Sequence, residues 1–190
     1  LAKNTIIIFT SDNGGHGRIT SNYPLRGNKG NFYEGGIRVP LIIKWPGVTQ
    51  PASQCNTPVT STDFYPTILD MANLPPMPEQ HVDGINIVPL LKNNGDLNRE
   101  AIYWHFPHYI GTGHPNPARP CGVIRYNGWK LIESFEDGHL ELYNLTNDLK
   151  EEKDLSSEMP EKAQELQNML ENWRERTKVQ MPEINPEYKK

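Results

Sequence analysis

The chain has 190 residues, of which 36% are hydrophobic and 22% charged, and its formal net charge is -4 at pH 7. This composition is typical of a globular protein, and the acidic balance disfavours nucleic acid as a partner. No apolar stretch is long enough to span a membrane, and two cysteines are too few for a disulfide framework. Because an apolar run begins almost at Leu1 and there is no initiator Met, we expect that further sequence precedes this chain.

The first predicted element is a strand over residues 5–10, TIIIFT, whose unbroken β-branched and aromatic run favours burial on both faces. A glycine-rich polar loop, residues 11–16, follows it. In α/β sheets, loops that leave the carboxyl ends of strands build ligand sites. Asp12 and Asn13 in this loop offer a carboxylate and an amide oxygen, which suit a hard cation such as Ca²⁺. The same residue types also favour a plain turn, so both interpretations stay open.

Two further glycine-rich segments follow, PLRGNKG over residues 24–30 and YEGGIRVP over residues 33–40. They place three cationic side chains among glycines, namely Arg26, Lys29 and Arg38. Glycines let the backbone approach a ligand closely, and the cations suit an anion. A second apolar strand is predicted over residues 39–45.

Together these segments resemble the type I sulfatases of the alkaline phosphatase superfamily, whose pattern is S-D-N-G, then L-R-G-x-K-G, then E-G-G-x-R-V-P. All three blocks are present in that order, with Asn28 where glycine is common in the family. The resemblance implies that Asp12 and Asn13 supply part of the shell of a divalent cation, usually calcium, with magnesium as an alternative. It also implies that Lys29 contacts the sulfate group and is the catalytic candidate in this chain.

The remaining residues of the three blocks have less specific roles. Arg26, Glu34 and Arg38 are interpreted mainly as ion pairs and hydrogen bonds that hold the loop. His16 and Arg26 are also candidates for substrate binding. The family's nucleophile, a formylglycine made from the Cys or Ser of C/S-x-P-x-R, is expected in the missing N-terminal part, because neither Cys55 nor Cys121 fits this motif. We interpret Cys121 as a packing residue or a free thiol.

The elements that follow predict the end of one domain and the start of another. A helix is predicted over residues 64–72, capped by Thr62 or Asp63, with Phe64, Ile68 and Met71 at helical spacing. A turn at residues 82–87 leads into a short helical piece at residues 88–91. The predicted fold class is α/β, with residues 1–98 as the C-terminal end of an alkaline-phosphatase-like sheet domain. Residues 99–190 are predicted to form a small subdomain with an antiparallel sheet and a C-terminal helix.

The subdomain shows the clearest local signals of the chain. Strands are predicted over residues 101–105, 122–126, 129–133 and 141–145, and Asn127-Gly128 predicts a type I′ hairpin turn between the two central strands. A helix is predicted from Pro160 to about Val179, with one apolar stripe, namely Ala163, Leu166, Leu170 and Trp173.

A long aperiodic stretch after the first of these strands contains His105, His108 and His114, followed by Arg119. Loops of this length in compact domains are often functional. We predict that His105 or His108 contacts the substrate beyond the sulfate group. A zinc site and ordinary surface or packing histidines remain as alternatives.

The sequence therefore predicts the C-terminal part of a calcium-dependent sulfatase that acts on a sulfated glycan or an aryl sulfate. The missing N-terminal part is the expected partner, and the resemblance implies a secreted, periplasmic or lysosomal protein. A phosphodiesterase or phosphonate hydrolase of the same superfamily and a noncatalytic glycan-binding fragment are the alternatives.

Overall fold

The computed structural model describes residues 1–110, 118–183 and 185–187. Two compact units are present, the first formed by Leu1–Asp12 with Pro40–Arg99 and the second by Asn13–Val39 with Glu100–Lys190. The division into residues 1–98 and 99–190 stays a prediction about the domains of the longer protein. In this chain, the packing assigns Asn13–Val39 to the second unit.

Two short strands and several helical segments make up the first unit. In chain order, the α-helices and strands of both units are β1 (Ile7–Thr10), α1 (Glu34–Ile37), β2 (Leu41–Lys44), α2 (Phe64–Met71), α3 (Val88–Leu91), β3 (Ile102–Phe106), β4 (Cys121–Tyr126), β5 (Trp129–Ser134), β6 (Leu140–Asn144) and α4 (Pro160–Thr177). Short 3₁₀ turns lie at Ala2–Asn4 and Ser61–Asp63. Strands β1 and β2 pair antiparallel, with Ile7 opposite Lys44. The mixture of α-helices and strands, with an antiparallel sheet beside a helix in the second unit, confirms the predicted fold class.

The prediction that the first strand is covered on both faces is wrong for this chain. Ile7 is 49% exposed and Phe9 is 58% exposed. Among the residues that the structure describes, strand β1 is hydrogen-bonded to β2 alone, so this two-stranded sheet leaves apolar side chains open to solvent.

The predicted helix at residues 64–72 is present as α2, but its capping differs from the prediction. Asp63 makes no side-chain cap to α2. Its carboxylate instead accepts hydrogen bonds from the Thr60 and Ile85 N–H groups at 2.7 and 2.9 Å and pairs with Arg99. Asp63 thus closes a capping box with Thr60 at the 3₁₀ turn of residues 61–63 that precedes α2, and Ile85 and Arg99 are its tertiary partners.

The apolar residues at helical spacing in α2 are not the ones that it buries most. Ile68 is exposed, and Phe64 and Met71 are only half-buried, whereas Pro66 and Thr67 are buried. Thr67 is held by hydrogen bonds from its hydroxyl to the Asp63 carbonyl and from the Ile87 N–H to its hydroxyl.

The second unit is built on a four-stranded antiparallel sheet in the order β3-β4-β5-β6. The predicted hairpin joins β4 to β5, with Tyr126 opposite Trp129. Asn127 and Gly128 both have positive φ angles, 45° and 80°, as a type I′ turn requires. The prediction of this turn is confirmed.

Helix α4 packs on one face of this sheet. Its predicted apolar stripe is confirmed, because Ala163, Leu166 and Leu170 are buried against the sheet residues Ile124, Leu131 and Leu142. Each fully buried leucine contributes roughly 1.5 to 3 kcal/mol relative to an exposed one. The ring of Trp173 stacks on Tyr103 of β3 with 5.0 Å between centroids.

The opposite face of the sheet packs against the segment that carries the glycine-rich blocks. Its buried residues are Cys121, Val123, Ile132, Tyr143 and Leu145, and Phe32 and Tyr33 pack on them. Side chains alternate between the two faces along a strand, so one strand contributes to both cores. The sheet thus lies between α4 and the candidate site segment.

Candidate functional site

Residues 13–39 of the second unit contain most of the three sequence blocks, and backbone hydrogen bonds join them. The Gly14 N–H donates to the Gly36 carbonyl at 2.8 Å, and the Lys29 N–H donates to the Gly15 carbonyl at 3.1 Å. The Gly35 N–H donates to the Arg26 carbonyl at 2.7 Å and closes the Lys29 loop, defined here as residues 26–35. Backbone hydrogen bonds therefore connect the first glycine-rich block directly to the second and the third.

This close backbone packing explains why glycine is needed in these blocks. A Cβ atom at Gly14 would overlap the Gly35 carbonyl, and one at Gly36 would overlap the Asn31 carbonyl. Backbone atoms cannot move aside as a flexible side chain can. Any larger residue at these two positions would separate the blocks.

Lys29 lies near the middle of its loop and its side chain is exposed. Gly27 and Gly30 on either side have φ angles of 79° and 95°, which bend the backbone around the Asn28-Lys29 pair. Asn28 is buried, and its N–H donates to Asn31 Oδ1 at 3.0 Å. The loop therefore has a fixed backbone and presents one ammonium group to solvent.

Arg26 makes the structural contacts that the sequence predicts for it. Its guanidinium donates to the Tyr143 hydroxyl at 2.8 Å and to the Glu151 carbonyl at 3.0 Å, and it lies over the Tyr33 ring. These contacts attach the start of the Lys29 loop to β6 and to the segment that follows it. Whether Arg26 also touches substrate stays a prediction.

Glu34, at the end of the loop, belongs to a buried ionic cluster that was not predicted from the sequence. The Lys130 ammonium lies 2.7 Å from Glu34 Oε1 and 2.8 Å from Glu151 Oε1. Lys130 and Glu151 are 0% exposed and Glu34 is 1% exposed. Arg38 also lies 3.4 Å from Glu34, as predicted for an ion pair that holds the loop. The sequence feature that could have indicated a buried Lys130 is its position two residues before Ile132, because side chains two positions apart on a strand share one face.

The two glutamates of this cluster differ in their pKa. Burial acts to raise the pKa of Glu34, but the nearby Lys130, Arg125 and Arg38 outweigh burial and hold this pKa below its ordinary range. Burial raises the pKa of Glu151, and Lys130 offsets the increase only in part. Glu34 has the more cationic surroundings of the two, and this difference gives it the lower pKa.

Two tyrosines and one glutamate form a second cluster beside Arg26. The Tyr33 hydroxyl donates to Glu141 Oε2 at 2.9 Å, and the Tyr143 hydroxyl also donates to Glu141. Burial raises the pKa of both phenols above the ordinary value, and the Glu141 carboxylate raises it further. Both hydroxyls are therefore donors held in their protonated form.

The other candidates in the first block have varied surroundings. Asp12 is exposed, Asn13 is half-buried, and His16 Nδ1 accepts a hydrogen bond from the Arg18 N–H at 3.3 Å. Within the described residues, no group of three or more His, Cys, Asp or Glu side chains is arranged to hold a metal ion. Ca²⁺ requires roughly six to eight oxygens, and the part of a shell predicted for Asp12 and Asn13 stays a prediction.

The histidines of β3 and the stretch after it lie on different surfaces. His105 points to the face of the sheet that packs on α4, where its Nε2 lies 2.9 Å from the Gln180 carbonyl. His108 is exposed, and its ring makes an edge contact with Phe106. His114 lies outside the described residues, so the alternative zinc site is not described in full. The predicted substrate contacts of His105 and His108 stay predictions.

An open cavity of about 320 Å³ lies beside the end of the Lys29 loop. Its wall includes Phe32, Tyr33, Arg119, His139 and Glu141. Aromatic rings with carboxylate, imidazole and guanidinium groups can stack on and hydrogen-bond a sugar. Sequence reasoning noted Arg119 but missed His139 and Glu141, because only the sheet places them beside Tyr33.

Cys121 is buried in the second unit and Cys55 is exposed, and both are free thiols. Burial raises the pKa of Cys121 to about 12, so it remains a neutral thiol at physiological pH. The interpretation of Cys121 as a packing residue is confirmed.

Residues 27–180 match the family described as N-sulphoglucosamine sulphohydrolase, C-terminal. A protein of Formosa agariphila named Sulfatase is 40% identical over 188 residues, which cover 91% of this chain and 33% of that protein. The chain belongs to the sulfatase family. It spans about a third of the length of this curated relative.

Solved structures of similar proteins agree with the sulfatase assignment. Ps i-CgsB in complex with k-i-k-neocarrahexaose superposes with a TM-score of 0.74 at 31% identity and covers 90% of this chain and 36% of that one. BT4656 in complex with its substrate D-glucosamine-2-N,6-O-disulfate gives a TM-score of 0.73 at 27% identity and covers 93% and 35%. The sulfatase family resemblance and its C-terminal location are therefore confirmed.

The fold is also shared with a phosphonate monoester hydrolase from Silicibacter pomeroyi, with a TM-score of 0.67 at 20% identity and coverage of 92% of this chain and 35% of that one. This likeness concerns the fold alone. Among the described residues of this sulfatase chain, no helix has the length and apolar character that crossing a membrane requires.

Proposed function

We propose that this chain is the C-terminal part of a calcium-dependent sulfatase that hydrolyses a sulfate ester of a sulfated carbohydrate. The observation that carries the proposal is the exposed ammonium of Lys29 on a loop whose backbone is fixed at both ends. A sulfate ester carries negative charge on its nonbridging oxygens, and cleavage of the S–O bond adds charge to the leaving oxygen. A fixed cation close to these oxygens stabilises the transition state more than the free substrate.

Lys29, the glycines beside it, Arg26 and His16 have different roles in this proposal. Lys29 binds the sulfate oxygens and offsets their charge, and Gly27 and Gly30 let the backbone approach the substrate closely. Arg26 holds the start of the loop through Tyr143, so that the Lys29 ammonium keeps one position. His16 is a further candidate for contact with the sulfate or the sugar.

Asp12 and Asn13 would hold a divalent cation, calcium by the family resemblance or magnesium as an alternative. Such an ion, when bound, polarises the sulfate oxygens as a Lewis acid. A carboxylate and an amide oxygen are hard donors that fit either ion, but two donors do not complete a shell. The remaining ligands are expected from the part of the protein that precedes this chain.

The nucleophile is expected in the same preceding part, as a formylglycine by resemblance. Neither cysteine of this chain is suited to the role, because Cys121 is buried and neutral and Cys55 is not followed by the required motif. The exposed apolar residues Ile7 and Phe9 of β1 support a missing portion, since large apolar side chains are normally covered. We therefore expect this chain alone to turn over no aryl sulfate.

The substrate class rests on two supports. The relatives with sugar ligands in their names point to a sulfated carbohydrate, and the cavity beside Tyr33 has the aromatic and polar lining that a sugar requires. For a protein with such a substrate, we propose a secreted, periplasmic or lysosomal location. The phosphonate hydrolase alternative shares the fold, but the L-R-G-x-K-G block and the identity to a sulfatase favour sulfate.

The test is Lys29→Ala in the full-length protein, compared with wild type on 4-nitrophenyl sulfate and on 4-nitrophenyl phosphonates. Loss of one preorganised donor typically costs about 10² to 10³ in kcat. We expect a loss of that size for the sulfate with an unchanged melting temperature, and loss of activity in a calcium chelator that calcium restores. Near wild-type kcat/KM at saturating calcium, or greater turnover of phosphonates than of sulfates, would refute the proposal.

A further inference from the structure

We propose that Lys130 is a positioning residue for Lys29, acting through a buried cluster of Glu34, Lys130 and Glu151, hereafter the Lys130 cluster. This inference rests on the proposed function, in which Lys29 contacts the sulfate group. It adds residues of β5 and of the segment after β6 to the machinery of the site. Among the described residues, no hydrogen bond or ion pair joins this cluster to the Lys29 side chain, and we infer that its effect passes through the backbone of the loop.

The Lys130 ammonium is fully used by three acceptors. It donates to the Phe32 carbonyl at 3.0 Å and to Glu151 Oε1 at 2.8 Å, and it lies 2.7 Å from Glu34 Oε1. An ammonium has three N–H donors, and the described residues place three oxygens around it, two in hydrogen bonds and one in an ion pair. Two of these partners belong to the residues three and five positions after Lys29 in the chain. Lys130 therefore fixes the end of the loop at both a carbonyl and a side chain.

Glu151 connects this end of the loop to its start. Its Oε2 accepts the Glu34 N–H at 2.6 Å, while its backbone carbonyl accepts a hydrogen bond from the Arg26 guanidinium at 3.0 Å. Glu151 has a φ angle of 57°, which is uncommon outside glycine, so its backbone holds a special conformation at this contact. One residue thus holds both ends of the segment that carries Lys29.

The chemistry of the cluster suits positioning better than stabilisation. Replacing a buried ion pair by apolar residues of similar size is often neutral or stabilising, because taking charges out of water is costly. Apolar contacts are also non-directional. Hydrogen bonds to the Phe32 carbonyl and the Glu34 N–H fix backbone direction instead, and a misplacement of about 1 Å can cost about 10² in rate. The cluster therefore supplies geometric precision to the loop.

A second ion pair in the same unit gives a matched control. Glu133 on β5 pairs with Arg174 on α4, and both side chains are 11% exposed. This pair lies on the α4 face of the sheet, opposite the Lys29 loop. Glu133→Gln and Glu151→Gln each remove one negative charge from a buried ion pair that includes a β5 residue. Of the two glutamates, Glu151 is the one that is hydrogen-bonded to the Lys29 loop.

The experiment measures kcat and KM for 4-nitrophenyl sulfate with the full-length protein, below the melting temperature of every variant. The variants are Glu151→Gln, Lys29→Ala, the double variant that combines them, and the control Glu133→Gln. We expect Glu151→Gln to lower kcat by about 10- to 100-fold with a smaller change in KM. In the Lys29→Ala background its further effect should be less than about threefold, because residues that act as one unit are not additive.

Three results would overturn the inference. The first is a kcat of folded Glu151→Gln within about threefold of wild type. The second is a kcat loss from Glu151→Gln that is as large in the Lys29→Ala background as in wild type. The third is a kcat loss in Glu133→Gln equal to that in Glu151→Gln. Lys130→Met repeats the test on the central residue, and Glu151→Gln carries it alone if Lys130→Met does not fold. An unchanged kcat in Lys29→Ala by itself would refute the proposed role of Lys29, which separates that failure from failure of the positioning role.

Discussion

The Arg26 guanidinium carbon lies 3.8 Å from the centroid of the Tyr33 ring. These two residues stand on opposite sides of Lys29 in the chain, so their side chains close the Lys29 loop in addition to the hydrogen bond from the Gly35 N–H to the Arg26 carbonyl. A planar guanidinium can stack on a ring and donate in its own plane at the same time. Arg26 does both, because it also donates to Tyr143 and Glu151.

Arg26→Lys should therefore behave as a damaging substitution. An ammonium has no planar face to stack on the Tyr33 ring while it donates to Tyr143 and Glu151, so we expect a loss of about 1 to 3 kcal/mol in the free energy of unfolding. Chemical denaturation of the full-length protein measures this loss. Arg119→Lys is the matched control, because Arg119 is 73% exposed in its pair with Glu136 and should change stability by about 0 to 1 kcal/mol. Equal effects of the two substitutions would contradict the anchoring role.

Stability should fall in alkaline solution because of the tyrosine pair. The pKa values of Tyr33 and Tyr143 are raised above the ordinary 10.0 in the folded state. Their contribution is fully present below pH 10, where folded and unfolded states are both protonated. As pH rises above 10, the unfolded state loses these protons first and the contribution is lost. Denaturation between pH 8 and pH 11 should show this decline.

The double variant Tyr33→Phe with Tyr143→Phe is the control for the alkaline decline. Phenylalanine has no proton to lose, so the decline above pH 10 should be shallower than in wild type. A decline of the same steepness would assign the alkaline instability to other groups.

The two thiols should react at very different rates. Cys121 is 8% exposed and burial raises its pKa to about 12, so much less of it is thiolate at pH 8 than of an ordinary thiol. Iodoacetamide at pH 8 should modify the exposed Cys55 and leave Cys121 unmodified until denaturant is added. Peptide mapping by mass spectrometry measures both sites. Modification of Cys121 at the rate of Cys55 in the native protein would show that this core opens readily.

The two histidines near β3 should separate into different roles. His105 is bonded to the Gln180 carbonyl on the α4 face, so His105→Ala should lower the melting temperature. His108 is exposed, so His108→Ala should leave the melting temperature unchanged. If His108 contacts the sugar, its loss should lower kcat/KM for a sulfated glycan more than for an aryl sulfate. Equal changes for both substrates would remove the predicted substrate role of His108.

Sequence patterns predicted the features that depend on local chemistry. Asn127-Gly128 predicted its hairpin because few other residue pairs adopt two positive φ angles easily. The stripe of Leu166 and Leu170 predicted the buried face of α4 because the helical period fixes which residues share a side. The three glycine-rich blocks predicted the sulfatase family, since their order and residue types are specific to it.

Other features depended on partners that are distant in the sequence. Local preference predicted that Asp63 caps α2, whereas its carboxylate caps the preceding turn through the Thr60 N–H and also binds Arg99 and the Ile85 N–H. The pattern of β1 predicted coverage on both faces, but strand composition does not show which other segments are available to cover Ile7 and Phe9. In both cases the residue type was informative and the identity of its partner was not.

The sequence by itself determined the family, the hairpin, the α4 stripe and the candidate Lys29, because each depends on residue types within a short window. Only the tertiary structure brought the Glu34 N–H within 2.6 Å of Glu151 Oε2, although the two residues are 117 positions apart in the chain. It also buried Lys130 between them, although a lysine in a strand is usually solvated. Register, sheet order and loop packing place these three charges together, and the geometry that holds Lys29 follows from long-range contacts that no local pattern encodes.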